Sequence, residues 1–333
     1  MHYLANYGLF FAKLFTVVIA VLILFAAIIA LKAKNKFGSK SELVIDKLNE
    51  KFEHFEKNMQ EATLSKKDYK KYLKSQDKKS KKESSHKNRL FVLNFNGDIR
   101  ASAVDHLREE ITSLLCVANE KDEIVLRIES AGGMVHSYGL AASQLQRIKD
   151  RKIPLTVCID KVAASGGYLM ACVADKIIAS PFSIIGSIGV IAQLPNFNRW
   201  LKKNDIDFEQ ITAGKYKRTL TVFGENTENS RQKMQESLEE VHFYFKDFIA
   251  THRPQIDLEH VATGEHWLAA KAFELNLVDK LQTSDDYLFS KYKNNQTDVF
   301  EIKYLQRQSL KDKLSNIIEE SAGLKQQLHI DYR

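Results

Sequence analysis

Residues 123–149, EIVLRIESAGGMVHSYGLAASQLQRIK, place a strand pattern, a glycine turn and a helix pattern in immediate succession. The apolar run at 123–128 predicts a buried strand, and residues 136–149 carry apolar side chains at helical spacing. A further strand is predicted at 154–159. Because a helix that joins two strands in this way produces a parallel pair, the stretch predicts an α/β fold with a largely parallel sheet.

The same alternation continues on both sides of this stretch. The chain has 333 residues, which is enough for one core of about 200 residues with attachments. We therefore expect one main domain at 90–290. Its other predicted elements are a strand at 90–95, a helix at 104–118, a short helix at 165–174, a strand at 176–179 and a long amphipathic helix at 228–251.

The N-terminal segment contains an apolar run. Every residue from 14 to 31 is uncharged and nearly all are apolar, which is the length that a helix needs to cross a bilayer. The run is longer than the apolar part of a cleaved signal peptide, about 7 to 15 residues, and it passes directly into Lys32 and Lys34. We expect an uncleaved membrane anchor at 1–34 that contacts lipid through residues 14–31.

Two polar segments separate this anchor from the main domain. In 35–64, apolar residues at spacings of three and four predict one stripe on a helix, either a coiled-coil or docking helix between protomers or a helix packed on its own domain. Its members are Ile45, Leu48, Phe52, Phe55, Met59 and Ala62.

Residues 65–89 carry much of the basic charge of a chain whose formal net charge is +7. Such a lysine-rich segment cannot bury apolar surface, so we expect a solvated linker, with contact to anionic lipid headgroups as the alternative. Tyr69 and Tyr72 are the only aromatic residues nearby and no nucleic-acid motif accompanies them, so we expect no nucleic-acid partner.

Two glycine turns lie where strands of this fold end. The first is at 129–134, and the second places Ser165 at the start of a helix, where serine is also a common N-cap. Lys217 follows in the sequence, with no histidine between it and Ser165. A serine hydroxyl needs a neighbouring base to become a nucleophile, and a partly desolvated lysine can be that base. A Ser-His-Asp triad that uses His136 or His242 is the alternative.

These turns belong to a series of motifs in a fixed order. The motifs are SAGG at 130–133, ASGGY at 164–168, IGSIGV at 185–190, GKYK at 214–217, GEHW at 264–267 and LNLVD at 275–279. Together they resemble the signal peptide peptidase A family, and the anchor with its lysine-rich extension is similar to the SohB-type inner-membrane peptidases of that family.

The resemblance implies a Clp-protease/crotonase-like spiral fold with Ser165 as nucleophile and Lys217 as general base. Ser187 would hydrogen-bond the lysine amine, while Gly133 and Gly166 would donate N–H groups to the oxyanion. It also implies a homo-oligomeric ring in which neighbouring protomers can complete each other's dyad, and signal peptides or unfolded membrane-associated peptides as substrates. We expect no metal and no cofactor, and the three cysteines, Cys116, Cys158 and Cys172, lack metal-ligand spacing.

Two arguments on membrane orientation oppose each other. Lysines after the span favour a cytoplasmic domain, whereas the resemblance implies a periplasmic one. We expect a bacterial inner-membrane protein with a single N-terminal span and a periplasmic catalytic domain.

Other functions and the C-terminal tail stay open. A catalytically silent membrane scaffold, or a crotonase-like acyl-CoA enzyme, could use the same fold.

In the tail at 291–333, residues 291–298 predict a loop. Residues 309–328 predict a helix that covers a neighbouring protomer or docks within the chain.

Overall fold

The computed structural model describes residues 13, 15–21, 24, 42–80, 88–293 and 297–305. Residues 15–21 are helical and, with residue 24, are the described part of the predicted membrane span; the rest of that span lies outside the described residues. Among the residues that are described, no helix is both long and apolar enough to cross a membrane. One compact unit spans Leu43–Tyr304.

The sheet of this unit has ten strands within the described residues. In chain order they are β1 (Glu42–Lys47), β2 (Asn88–Gly97), β3 (Glu123–Ser130), β4 (Leu155–Ile159), β5 (Val162–Ala164), β6 (Lys176–Ala179), β7 (Ile184–Gly186), β8 (His266–Leu268), β9 (Lys280–Leu281) and β10 (Thr297–Leu305).

Helices connect and flank these strands. They are α1 (Leu48–Thr63), α2 (Lys66–Ser80), α3 (Val104–Leu115), α4 (Val135–Lys149), α5 (Gly166–Ala171), α6 (Asn198–Lys203), α7 (Glu228–His252), α8 (Leu258–Val261), α9 (Ala269–Glu274) and α10 (Ser284–Lys293).

The sheet forks at the end of β3. The main path runs β1-β10-β2-β3-β4-β6-β9, while β5 leaves it by pairing with β3 and continues to β7 and β8. Residues 124–127 of β3 pair with β4, and its last residue, Ser130, pairs with Ala163 of β5. The β7–β8 pair is antiparallel, whereas the pairs from β10 through β9 and from β3 through β7 are parallel. The predicted α/β fold with a largely parallel sheet is confirmed.

Helices cover both faces of the sheet, as a parallel sheet requires. On one face, α3 and α4 pack against Ile124, Leu126 and Ile128 of β3. On the other face, Val125 belongs to a separate buried cluster that α1 and α10 complete. Alternate residues of β3 are therefore buried on opposite sides, which explains its nearly continuous apolar sequence.

The lysine-rich segment contains a helix. Residues 66–80 form α2, so this part of the expected linker is helical. Ser65 accepts a hydrogen bond from the backbone N–H of Asp68 (3.2 Å) and its hydroxyl donates to the Asp68 carboxylate (2.7 Å), which stabilises the first turn. Lysine and glutamine are good helix formers, and a composition that excludes burial does not exclude a solvated helix.

The apolar stripe before α2 docks on its own domain. Ile45 lies in β1, outside the helix. Leu48 is buried, and the Phe52 ring packs against Tyr292 of α10 with ring centroids 5.0 Å apart. Phe55 remains exposed. Of the two alternatives for this stripe, packing on the chain's own domain is the one that these contacts support.

A strand lies where the sequence predicted a loop and a helical tail. Residues of β10 pair in parallel with β2, with Thr297 opposite Asn88 and Glu301 opposite Val92. Because Val299 and Ile302 are buried in the core, this part of the tail belongs to the sheet, which corrects the expectation for residues 297–305. The predicted helix at 309–328 lies outside the described residues.

Candidate active site

The two glycine turns meet at the fork of the sheet. Gly132 has a φ of +90°, and a Cβ atom added there would lie 2.7 Å from the Gly166 nitrogen and 2.8 Å from Ser165 Cβ. Such a close approach leaves no room for a side chain. The backbones of the two turns are therefore in direct contact.

Ser165 lies at the junction of β5 and α5. Its φ of 50° and ψ of −118° are unusual for a residue with a side chain. The backbone N–H of Ser165 donates to the Gly186 carbonyl (2.8 Å), and the Ser165 carbonyl accepts from the N–H of Leu169 (2.9 Å). The side chain is half-buried and makes no capping hydrogen bond to α5. Ser165 therefore occupies the N-cap position of α5, but its hydroxyl does not cap the helix.

Two N–H groups beside Ser165 are available to a bound oxygen. Gly166 is buried and begins α5, while Gly133 is exposed. Within residues 88–293, neither N–H group has a hydrogen-bond acceptor, whereas the neighbouring N–H of Gly132 donates to Ser130 Oγ (3.1 Å). Both N–H groups are therefore open to an acceptor from outside the chain, and their role as oxyanion donors stays a prediction.

Ser187 directly follows β7, the strand whose last residue, Gly186, accepts a hydrogen bond from the Ser165 N–H. It is half-buried, and its N–H donates to the Glu265 carbonyl (2.6 Å). Gly186, the residue before it, supplies the carbonyl that accepts from Ser165. The fold thus brings Gly133, Ser165, Gly166 and Ser187 into one neighbourhood, while their individual roles stay predictions.

Lys217 lies in the loop between α6 and α7 and is exposed. It lines a cavity of about 810 Å³ together with the apolar residues Val222 and Phe223. Ser165 does not line this cavity. No hydrogen bond joins the Lys217 amine to Ser165 or Ser187 in the described part of the chain, so one protomer does not display the dyad.

The histidine alternative receives no support. His136 is exposed, and His242 lies half-buried on α7 with its Nε2 atom lacking a partner. Neither ring hydrogen-bonds to Ser165 among the residues that the structure describes. Within the described residues, neither His136 nor His242 therefore forms a Ser-His-Asp triad with Ser165.

Two buried hydroxyl groups lie under the turns, and sequence reasoning missed both. Ser130 Oγ lies 2.5 Å from Tyr138 Oη, and Tyr138 Oη donates to the Asp98 carbonyl (2.8 Å). Burial raises the pKa of Tyr138, so the phenol keeps its proton. The available signal was a polar ring on the inward face of α4, eight residues after the serine of the first turn.

Comparisons with known proteins decide the family. Residues 2–145 match the peptidase family S49 N-terminal model, and residues 147–298 match the peptidase family S49 model. The probable protease SohB of Haemophilus influenzae is 46% identical over 334 residues, covering 96% of this chain and 94% of that protein.

The chain belongs to peptidase family S49. S49 is a family of serine peptidases, and its two models meet inside α4, so that Gly133 falls in the first matched region and Ser165 in the second. Another S49 relative, the probable protease SohB of Buchnera aphidicola subsp. Schlechtendalia chinensis, is 47% identical over 87% of this chain and all of its own length.

A solved structure also matches. It is a membrane-bound stomatin-specific protease in complex with a substrate peptide, with a TM-score of 0.43 and 16% sequence identity. The match covers 70% of this S49 chain and 99% of that chain.

Proposed function

We propose that this chain is a membrane-anchored serine endopeptidase in which Ser165 is the nucleophile and Lys217 is the general base. The geometry of Ser165 carries the proposal. Its backbone is held in a left-handed conformation, its hydroxyl is not used for capping, and two glycine turns present N–H groups beside it. Membership of a serine peptidase family supports the same assignment.

The chemistry follows from these positions. The uncharged amine of Lys217 accepts the Ser165 proton while the serine oxygen attacks a peptide carbonyl. The N–H groups of Gly133 and Gly166 hold the resulting oxyanion, and removal of one such donor costs about 3 to 4 kcal/mol of barrier in comparable sites. The lysine then protonates the leaving amine, and a water molecule cleaves the acyl-enzyme with the same lysine as base.

We infer that the lysine comes from a neighbouring protomer in a homo-oligomeric ring. Lys217 is exposed and unpaired with Ser165 within one chain; its loop also exposes Ile211, and helix α6 before that loop exposes Trp200. Contact with a second copy would cover these apolar groups and remove water from the amine, which favours its uncharged form. Ser187 would then accept or donate a hydrogen bond at the lysine nitrogen.

The finer architecture and location are also proposals. The fork of the sheet at β3 supports a Clp-protease/crotonase-like spiral fold. The apolar run at 14–31 supports a single span in the bacterial inner membrane. With a periplasmic catalytic domain, the peptides that the site meets would be signal peptides or unfolded membrane-associated chains.

The test is covalent labelling of the full chain, solubilised in detergent, with a serine-directed fluorophosphonate. We expect labelling of the wild type, none of Ser165→Ala, and a fall of at least about 100-fold in the rate for Lys217→Ala, since general-base catalysis contributes about 10² to 10⁴. Lys215→Ala is the matched control, because this lysine lies in the same loop and is also exposed. A folded wild type that resists the reagent would favour the silent scaffold.

Co-expression separates pairing within a chain from pairing between chains. A Ser165→Ala chain still carries the lysine, and a Lys217→Ala chain still carries the serine. If the dyad forms between protomers, mixed rings will recover labelling on the Lys217→Ala chain. If each chain completes its own dyad, the mixture will stay unlabelled, and the inter-chain inference is then wrong.

A further inference from the structure

One buried side chain contacts both glycine turns. Tyr138 on α4 has no exposed surface, and Ser130 at the end of β3 is only 2% exposed. The Tyr138 hydroxyl lies 2.5 Å from Ser130 Oγ, which accepts the N–H of Gly132 in the first turn (3.1 Å). The Tyr138 ring lies against Gly166 in the second turn, where an added Cβ atom would overlap the ring.

The direction of each hydrogen bond in this network is fixed. The Asp98 carbonyl can only accept, so Tyr138 donates its single proton there (2.8 Å). Ser130 must therefore donate its own proton to Tyr138 Oη. One of the two lone pairs on Ser130 Oγ accepts from the N–H of Gly132. The result is a chain of hydrogen bonds from the N–H of Gly132 through Ser130 and Tyr138 to the loop after β2.

The surroundings leave this network little freedom to move. A Cβ atom added at Gly97 would lie 2.5 Å from Ser130 Oγ, and one added at Gly167 would lie 2.6 Å from the Ser130 carbonyl. Glycine at these positions lets the backbone close around Ser130. A buried and fully satisfied network of this kind specifies one conformation of the loops that it joins.

We propose that Tyr138 is a positioning residue for the oxyanion site, acting through Ser130 on the Gly133 turn and through its ring on Gly166. The inference rests on the proposed function. Tyr138 touches no reacting atom; it sets the distance and angle between two N–H groups that must reach the same oxygen. Its loss leaves the nucleophile in place and misaligns the donors.

The first variant is Tyr138→Phe, which keeps the ring against Gly166 and removes the hydroxyl. We expect kcat on a peptide substrate to fall about 10- to 100-fold. Rate losses of this size are typical when a catalytic group is misplaced or an oxyanion donor is weakened. KM should change less than about threefold, because the substrate's other contacts remain. A peptide boronate, which forms a tetrahedral adduct with the serine, should bind more weakly by a factor similar to the loss of kcat.

Ser130→Ala removes the other hydroxyl group of the same network, which bonds to Tyr138 and to the N–H of Gly132. We expect a similar loss of kcat, and a double variant no worse than the more severe single one, because both substitutions break one chain of hydrogen bonds. Tyr287→Phe is the control: it removes another buried tyrosine hydroxyl, which bonds to Glu123 on the opposite face of the sheet. It should lower the unfolding temperature without changing kcat.

These experiments distinguish a failure of the proposed peptidase function from a failure of the positioning role of Tyr138. A wild type that is not labelled at Ser165 overturns the proposed function, and the inference with it. A labelled wild type whose kcat and boronate affinity survive Tyr138→Phe or Ser130→Ala within about twofold overturns the inference alone. An equal loss of kcat in Tyr287→Phe also overturns the inference alone, because the effect then reports general stability.

Discussion

At the scale of single residues, the strained backbone of Ser165 depends on its neighbours. A non-glycine residue in such a conformation costs on the order of 1 to 3 kcal/mol, which the surrounding structure must offset. Gly186 does this by accepting the Ser165 N–H. Gly186 itself has a φ of +105°, and the Trp267 ring packs where its side chain would stand, 2.8 Å from an added Cβ. The Trp267 ring therefore packs against Gly186, and the Gly186 carbonyl in turn fixes the backbone of Ser165.

Gly186→Ala tests this support. The added methyl group would push Trp267 aside and strain a backbone that alanine rarely adopts, so the carbonyl that holds Ser165 would shift. We expect the rate of fluorophosphonate labelling to fall at least about 10-fold and the unfolding temperature to drop. Gly139→Ala on α4 is the matched control, because nothing lies within 4 Å of its Cβ position. Equal labelling of the two variants would contradict the role of Gly186.

The sequence could indicate the nucleophile but not its neighbours. Glycine turns at the ends of two predicted strands indicated where a site could lie, and the resemblance supplied Gly133 and Gly166 as its proposed donors beside Ser165. The roles of Ser130 and Tyr138 depend on a hydroxyl contact across the core, which no local pattern encodes. Lys217 lies in a long loop, where spacing along the chain says little about distance in space.

At the scale of elements, local periodicity predicted the centre of the sheet but not its edge. Strands β2, β3, β4 and β6 have short apolar runs that are buried on both faces, and these runs were recognisable. Strand β10 alternates polar and apolar residues, and its partner β2 lies far earlier in the chain. Such a pairing is decided by tertiary contacts, which a window of sequence does not contain.

Charged residues join β10 to the central strands of the sheet. Glu301 accepts from Arg127 of β3 (2.6 Å) and from Asn94 of β2 (2.9 Å), and it also pairs with Lys303 (2.7 Å). Burial works to raise the pKa of Glu301, but these hydrogen bonds and charges outweigh it and hold the pKa below its ordinary value of 4.5. The carboxylate therefore stabilises the fold in its ionised form.

The lowered pKa of Glu301 determines how the stability of the fold changes with pH. A carboxyl whose pKa is lowered by folding contributes stability above its unfolded pKa and loses it as the pH falls through the folded value. We expect Glu301→Gln to be less stable than the wild type near neutral pH and to lose less stability on acidification below about pH 4.5. Urea unfolding between neutral pH and pH values below about 4.5 measures the stability of each variant and its loss on acidification. Glu274→Gln, in an exposed pair with Lys271, should leave the curve unchanged; parallel curves for Glu301→Gln and the wild type would contradict the prediction.

At the scale of the whole molecule, the segment 197–244 of the main unit exposes several large apolar side chains. The loop before α7 exposes Ile211 almost completely, at 95%, and helix α6 exposes Trp200 at 60%. On α7 itself, Phe243 and Tyr244 are each about 60% exposed. Exposed aromatic and aliphatic groups in such number are typical of a surface that contacts another protein. In the proposed ring, a second copy of the chain would cover these groups.

Ile211→Asp links assembly to catalysis. Ile211 lines the same cavity as Lys217, so a charge there opposes contact with a neighbouring protomer and keeps the amine in water. We expect a smaller particle by sedimentation in detergent, together with a loss of Ser165 labelling of at least about 10-fold. Val117→Asp, an equally drastic change at an exposed position after α3, should alter neither. If Ile211→Asp dissociates the particle while labelling persists, each chain must complete its own dyad, because a base held by a neighbour would have been lost with that neighbour.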